Sequence, residues 1–211
     1  MLRITEIFLS LQGESTTTGL PTVFVRLTGC PLRCTYCDTA YAFSGGQHRT
    51  VDAVIEEVRD HRVSRVTVTG GEPLAQPDCL KLLTTLCDQR FDVSIETSGA
   101  LDIAGIDPRV TTVMDLKTPS SGESDRNLYS NIDHLSQTDE IKFVISDRAD
   151  YEWTKSAIAK YDLSRVAHLL VSPNHEQLQP RDLAEWVLED GLAVRLQIQL
   201  HKYLWGDVPG R

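Results

Sequence analysis

"GCPLRCTYCDT", Gly29 to Thr39, follows directly on the apolar, β-branched run "TVFVRLTG" (22–29) and sets Cys30, Cys34 and Cys37 within eight residues. Three thiols so close could belong to a disulfide framework, form most of a zinc site, or be the whole ligand set of a centre that needs only three. The 211-residue chain has five cysteines, an odd number, and its N-terminus, "MLRITEIFLSLQGES", is too polar for a signal peptide. Nowhere do 18 apolar residues run in succession, so no membrane association is expected. A reducing, cytoplasmic setting is expected, and structural disulfides are rare there. Structural zinc takes four ligands, typically as two pairs. Cys79 and Cys87 fall inside the helical pattern "QPDCLKLLTTLCDQ" (76–89) and read as small buried hydrophobes, while His48 keeps a Cys3His site open. A four-iron cluster normally takes four thiolates, and three would leave one iron for a substrate or cofactor.

Outward from the triplet, short β-branched runs alternate with helical patterns. "RVTVTGG" (65–71), "DVSIETSG" (92–99), "VTTVMDLK" (110–117), "EIKFVIS" (140–146), "VAHLLVSP" (166–173) and "AVRLQIQ" (193–199) join 22–29 as strands. Several are nearly continuous apolar runs, as expected of parallel strands covered on both faces. Helices are expected over 50–61, where Thr50 caps a face of Val51, Val54, Ile55 and Val58, and over 76–89, 148–161 and 179–190. Repeated strand–helix units imply a parallel sheet with its ligands at the C-terminal strand ends. Those ends, "RLTGC", "TGGEP", "IETSG", "MDLK", "LVSPN" and "QIQLHK", read as one active-site rim. Seven strands and four convincing helices are too few for a full eight-fold barrel, so the expected α/β fold is an incomplete, partly open β/α barrel. Residues 1–211 are read as one domain. The irregular stretch 118–135 reads as a mobile crossover rather than a lid. A net charge of −9 argues against a nucleic-acid surface.

Cys-x3-Cys-x2-Cys after the first strand of a βα series, with Tyr36 before the last cysteine and "TGGEP" (69–73) after the next strand, resembles the signature of the radical S-adenosylmethionine (SAM) enzymes. Within that superfamily, "EIFLSLQGES" (6–15), "CDT", "IETSG" and "QIQLHKYLWGD" (197–207) resemble the 7-carboxy-7-deazaguanine synthases, from Glu6 to Trp205. The resemblance implies a barrel of the radical SAM type. It also implies a ring contraction of 6-carboxy-5,6,7,8-tetrahydropterin to 7-carboxy-7-deazaguanine and ammonia, on the path to queuosine and other deazapurines. A 5′-deoxyadenosyl radical would take hydrogen from C6 of the pterin and later recover it. The nearer rival is a radical SAM activase that installs a glycyl radical on a partner enzyme. A zinc module is the rival from another class.

By the same resemblance, Cys30, Cys34 and Cys37 hold a [4Fe–4S] cluster, and Thr39 is the Mg2+ ligand. SAM meets Tyr36, Cys37, Asp38, Gly71, Glu72, Lys117 and the turn Ser172, Pro173, Asn174, His175, with Thr97 and Ser98 able to reach its ribose. The pterin meets Leu11, Gln12, Gly13, Glu14, Arg26, Thr69, Gln199 and His201. Glu14 could accept two N–H donors from the aminopyrimidine edge, and Arg26 could take the substrate carboxylate unless an internal ion pair claims it. A homodimer and an electron donor such as flavodoxin are implied as well. In some relatives the chain ends soon after "HKYL" and its terminal carboxylate touches the substrate. Here "WGDVPGR" follows, so either Arg211 folds back or Trp205 to Asp207 takes that place.

Overall fold

The structure, a computed structural model, describes residues 1–206, 208 and 210. Nine strands form one sheet that does not close. They are β1 (Leu2–Leu11), β2 (Pro21–Leu27), β3 (Gln47–Arg49), β4 (Arg65–Gly70), β5 (Asp92–Thr97), β6 (Thr111–Asp115), β7 (Glu140–Ile145), β8 (His168–Pro173) and β9 (Arg195–Leu196). Their order is β3-β1-β2-β4-β5-β6-β7-β8-β9. The seven strands expected from sequence are the parallel series β2 and β4 to β9. β1 and β3 are additional, and β1 runs antiparallel to both β2 and β3.

The four expected helices are α1 (Val51–Asp60), α2 (Cys79–Asp88), α3 (Arg148–Lys160) and α4 (Pro180–Glu189); a fifth, α5 (Leu200–Trp205), follows β9. Thr50 caps α1 by accepting from the Ala53 N–H at 3.2 Å, and Asp147 caps α3 by accepting from Asp150 N–H at 2.8 Å. Helices α1 and α2 pack on Val23, Val25, Leu27, Val66, Val68, Val93 and Ile95, and α3 and α4 on Ile141, Phe143, Ile145, Leu169 and Val171. Cys79 and Cys87 are buried in the first of these clusters, as small hydrophobes should be.

Successive side chains of a strand point to opposite faces. The residues between those core positions (Phe24, Arg26, Thr69, Glu96, Val113, Asp115, Lys142, Val144) therefore face inward, where they line a cavity. This corrects the expectation of strands covered on both faces: helices cover one face only, and the other is a polar bowl.

The loop joining β1 to β2 crosses the open side to β7 and to the segment after β9. Gln197 Oε1 accepts from Ser15 N–H at 2.8 Å, and Gln197 Nε2 donates to Ser15 O at 2.5 Å. The buried Glu140 carboxylate on β7 accepts Thr16 N–H and its hydroxyl, and Leu200 N–H reaches Gly13 O at 3.1 Å. The partial barrel is thus laced shut by its N-terminal hairpin.

The crossover 118–135 contains three short 3-10 turns and no α-helix. Asn127 brackets Lys117, accepting from its N–H at 2.9 Å and donating to its carbonyl at 2.8 Å, and Ser121 O takes the Thr35 N–H at 3.0 Å. This segment is a packed wall beneath the cysteine loop. No described helix is long and apolar enough to cross a membrane.

Candidate active site

The polar bowl is a cavity of about 610 Å3 at the C-terminal strand ends. Of the residues that the resemblance assigns to the cluster, Mg2+, SAM and the pterin, it collects all but one: Leu11, Gln12, Gly13 and Glu14 from the hairpin; Arg26; Cys30, Cys34, Tyr36, Cys37, Asp38 and Thr39; Thr69 and Gly71; Lys117; Ser172 to His175; and Gln199 and His201. Thr97 and Ser98 line it as well. The exception is Glu72, which is fully buried behind the wall. Its carboxylate accepts from Leu74 N–H, the Thr97 hydroxyl and both the N–H and hydroxyl of Ser98. Glu72 therefore braces one strand end against the next; any cofactor contact would have to come from the glycines before it.

Cys30, Cys34 and Cys37 are half-exposed free thiols, unlike the two core cysteines. Burial pushes the Cys34 thiol up to about 11 and raises Cys30, Lys117 opposes both, and the three sulfurs act electrostatically on one another. Burial thus favours the neutral thiol at Cys30 and Cys34, and a loop of this kind suits a ligand that brings its own positive charge. Among the described residues no three His, Cys, Asp or Glu side chains converge on a common metal point. A mononuclear zinc ion needs such convergence, whereas a cubane spreads its thiolates over separate irons. His48, the remaining zinc candidate, is exposed on β3 and lies outside the cavity. The donor set fits a [4Fe–4S] cluster. A Cβ at Gly71 would overlap Gly29 O and stand 2.8 Å from Cys30 Cβ, so glycine lets the second strand end press against the thiol loop.

Beside the thiols, Lys117 Nζ pairs with Asp115 Oδ2 at 2.7 Å, while Asp115 Oδ1 is buried without a hydrogen-bond partner among the described residues. An orphaned acceptor at the wall of a cavity calls for a donor from a ligand, and SAM carries hydroxyl and ammonium donors. Thr39 precedes the 3-10 turn Ala40–Phe43 but makes no side-chain cap bond; its hydroxyl donates to Asp38 Oδ1 at 2.9 Å, leaving its lone pairs for a cation.

On the opposite side, Arg26 lies between Phe8 and Tyr41, its carbon 5.7 and 5.8 Å from the ring centroids. Its Nε bonds Glu6 Oε1 at 2.7 Å, and the Tyr41 hydroxyl donates to the same oxygen at 2.7 Å. The internal ion pair weighed from sequence therefore exists, but it uses only one edge of the guanidinium fork. Gly13 packs against His201, whose Nδ1 a Cβ at residue 13 would overlap.

Sequence reasoning missed Glu96 and Lys142. Glu96 accepts from Thr69 Oγ1 at 2.9 Å and Gln12 Nε2 at 3.2 Å. Burial pushes its carboxyl above the ordinary range, with Lys142 opposing and Glu14 adding to the rise. Lys142 is ion-paired to Glu14 Oε2, and Gln199 Nε2 donates to Glu14 Oε1 at 2.8 Å. Burial would raise Glu14 too, but the charge and hydrogen bond of Lys142 outweigh it and hold the acid below its usual value. One carboxylate is thus kept ionised and its neighbour inclined to hold a proton, a division of labour suited to binding and proton transfer respectively. The available signal was a charged residue inside an otherwise apolar strand ("SIET", "EIKFVI"), since such a residue needs a partner or a cavity.

Of the C-terminal segment, Gly206, Val208 and Gly210 line the cavity. Trp205, expected in that place, is not among the lining residues, and Asp207 and Arg211 lie outside the described residues.

Comparison with known proteins agrees with this arrangement. Residues 24–187 match the family model of the radical SAM superfamily. The chain is 45% identical over 207 residues to a 7-carboxy-7-deazaguanine synthase of Chlorobaculum tepidum, covering 97% of this chain and 94% of that one. It is 42% identical to another from Koribacter versatilis, covering 97% of each. The fold matches the crystal structure of QueE from Escherichia coli with a TM-score of 0.77 at 23% identity, over 95% of this chain and 94% of that one. Neither relative's name favours the glycyl-radical activase reading. With its three-thiol loop, glycine-rich second strand end and end-to-end likeness to these relatives, the chain belongs to the radical SAM superfamily and, within it, to the 7-carboxy-7-deazaguanine synthases.

Proposed function

We propose that this one-domain chain converts 6-carboxy-5,6,7,8-tetrahydropterin to 7-carboxy-7-deazaguanine and ammonia in 7-deazapurine and queuosine biosynthesis. The observation that carries this reading is that one cavity joins the cysteine triplet to the Gln12–Glu14 loop and to Gln199 and His201. When bound, the cluster and SAM supply reversible hydrogen-atom abstraction, and Mg2+ supplies charge at the substrate carboxylate.

The chain's own residues bind, orient and move protons. Cys30, Cys34 and Cys37 hold the cluster. Tyr36, Asp38, Gly71, Lys117 and Ser172 to His175 line the SAM side, with Glu72 fixing the strand end behind them. Thr39 offers an oxygen to Mg2+. Gln12, Gly13 and Glu14, with Leu11, Thr69, Gln199 and His201, surround the pterin, and Arg26 directs its free N–H groups at the carboxylate. Glu96, the unmatched carboxylate of the floor, is placed to take the proton lost late in the reaction.

A reducing cytoplasm suits three unpaired thiols. A homodimer accords with the exposed Tyr203 and Leu204 on α5, and light scattering that returned a monomer mass would exclude it. Flavodoxin is the proposed electron donor, to be compared with dithionite in single-turnover reduction; no reduction by flavodoxin would reject it. The main test is anaerobic reconstitution followed by assay with SAM, reductant and carboxytetrahydropterin. Iron-dependent product is expected, and SAM cleavage without deazaguanine product would overturn the substrate assignment.

A further inference from the structure

Besides the ion pair of Asp38 with Lys202 at 3.3 Å, the cavity lining holds the carboxylates Glu14, Glu96 and Asp115 and two further lysines. Lys117 is matched to Asp115 at 2.7 Å. The other lysine, Lys142, projects from β7, an interior strand flanked by β6 and β8, and its side chain is only 16% exposed. Its partner is Glu14, on the loop that laces the barrel shut. Glu96 lies nearby and receives direct hydrogen bonds only from the neutral donors Thr69 and Gln12.

A lysine so enclosed persists only when its charge is met, and a buried pair that is broken on one side leaves a costly orphan. Glu14 is fixed at both oxygens: Lys142 holds Oε2 and Gln199 Nε2 holds Oε1 at 2.8 Å. An ionised carboxylate offers about four lone-pair sites, so two remain after these bonds, one on each oxygen. That is the pattern needed to receive the two parallel N–H donors, ring N–H and exocyclic amine, of a 2-amino-4-oxopyrimidine edge. Without Lys142 the loop carboxylate would have only an amide to orient it, and its mean position would no longer be tied to β7.

We propose that Lys142 is a positioning residue for pterin recognition: from the rigid strand β7 it pins the Glu14 carboxylate so that its two free lone pairs meet the N–H pair of the substrate's aminopyrimidine edge. The inference rests on the reading of Glu14 as a substrate contact. It assigns Lys142 no bond to the reacting atoms, so its loss should act on substrate recognition more than on turnover.

The test uses reconstituted holoenzyme with SAM, reductant and Mg2+, and compares Lys142→Met, Lys142→Arg, Glu14→Gln and the double variant Glu14→Gln/Lys142→Met. The double variant removes both charges together and so avoids an orphaned carboxylate. Lys142→Met should raise KM for carboxytetrahydropterin by about tenfold to a hundredfold, as for loss of an oriented charge-assisted bond. KM for SAM and iron content should be unchanged, and kcat much less affected. Lys142→Arg, which keeps a cation at Oε2, should restore part of the affinity. Because both single changes disable the same contact, the double variant should be little worse than either. A competing 2-oxo analogue, which lacks the amine, should be rejected strongly by the parent and only weakly by Lys142→Met. If Glu14→Gln raises KM while Lys142→Met leaves both KM and analogue rejection as in the parent, the positioning role is wrong and the reading of Glu14 survives. If Glu14→Gln itself leaves KM unchanged, the reading of Glu14 is wrong and the proposal falls with it. A drop in thermal stability of Lys142→Met without a change in either binding measure would show a structural pair only and would equally reject the proposal.

Discussion

At the scale of single residues, the cavity floor divides its carboxylates by environment. Glu96 is half-buried beside another acid, and its folded pKa lies above the ordinary value of 4.5. The folded state then holds that proton more tightly than the unfolded chain. This contribution is full below the ordinary value and is lost as pH rises through the folded one. Above the ordinary value, ionising Glu96 in the folded chain is therefore unfavourable, a cost that Glu96→Gln would remove. The glutamine can still accept from Gln12, and its amide can donate to Thr69. This variant should melt a few degrees higher at pH 7.5, the gain should shrink on approach to pH 4.5, and product formation should fall sharply. A melting gain independent of pH would remove the electrostatic explanation. Gly13 supplies a second case. A methyl there would overlap the His201 imidazole, so Gly13→Ala should cost about 1–3 kcal/mol of stability and raise the substrate KM. Gly13→Ala/His201→Ala should recover the stability but not the KM, as differential scanning and steady-state assays would show.

At the scale of elements, period and punctuation in the sequence made the parallel strands and their four helices legible. Thr50 and the spacing of Val51, Val54, Ile55 and Val58 mark α1 because a cap and a 3.6-residue stripe are local properties. Strand β1 escaped notice because "LRITEIFLSL" alternates imperfectly and its partners, β2 and β3, are set by tertiary pairing. Likewise, nothing local marks the crossover 118–135 as packed; its order comes from the bracket that Asn127 places on Lys117, ten residues away. Asn127→Ala would leave the Lys117 N–H and C=O buried and unpaired, at about 1–3 kcal/mol for each group. The expected result is a lower melting temperature, together with faster hydrogen exchange at Lys117 and in 118–122. A melting curve unchanged from the parent would show that water replaces the bracket at no cost.

At the scale of the whole molecule, the site is made where the two ends of the chain meet. Most pocket residues were legible as polar strand ends. Glu96 and Lys142 were not, because their function arises from which strands become neighbours and from the loop that crosses the open side. That loop supplies Gln12 to Glu14 and is fastened by four kinds of contact: Gln197 to both backbone groups of Ser15, Glu140 to Thr16, Lys142 to Glu14, and Leu200 N–H to Gly13 O. Gln197 is itself held to the sheet, its N–H donating to Val171 O at 2.9 Å, so the loop inherits the position of β8. Gln197→Leu preserves side-chain bulk but strands the Ser15 N–H and carbonyl, and the remaining fastenings should keep the barrel folded. Hydrogen exchange in residues 12–17 should therefore accelerate while exchange in β4 to β7 stays as in the parent, with a higher substrate KM and unchanged iron content. The specificity of the exchange pattern decides the matter. Uniform acceleration across the strands would mean that the hairpin stabilises the whole fold, whereas no acceleration at 12–17 would mean that the fastenings other than Gln197 hold the loop without it.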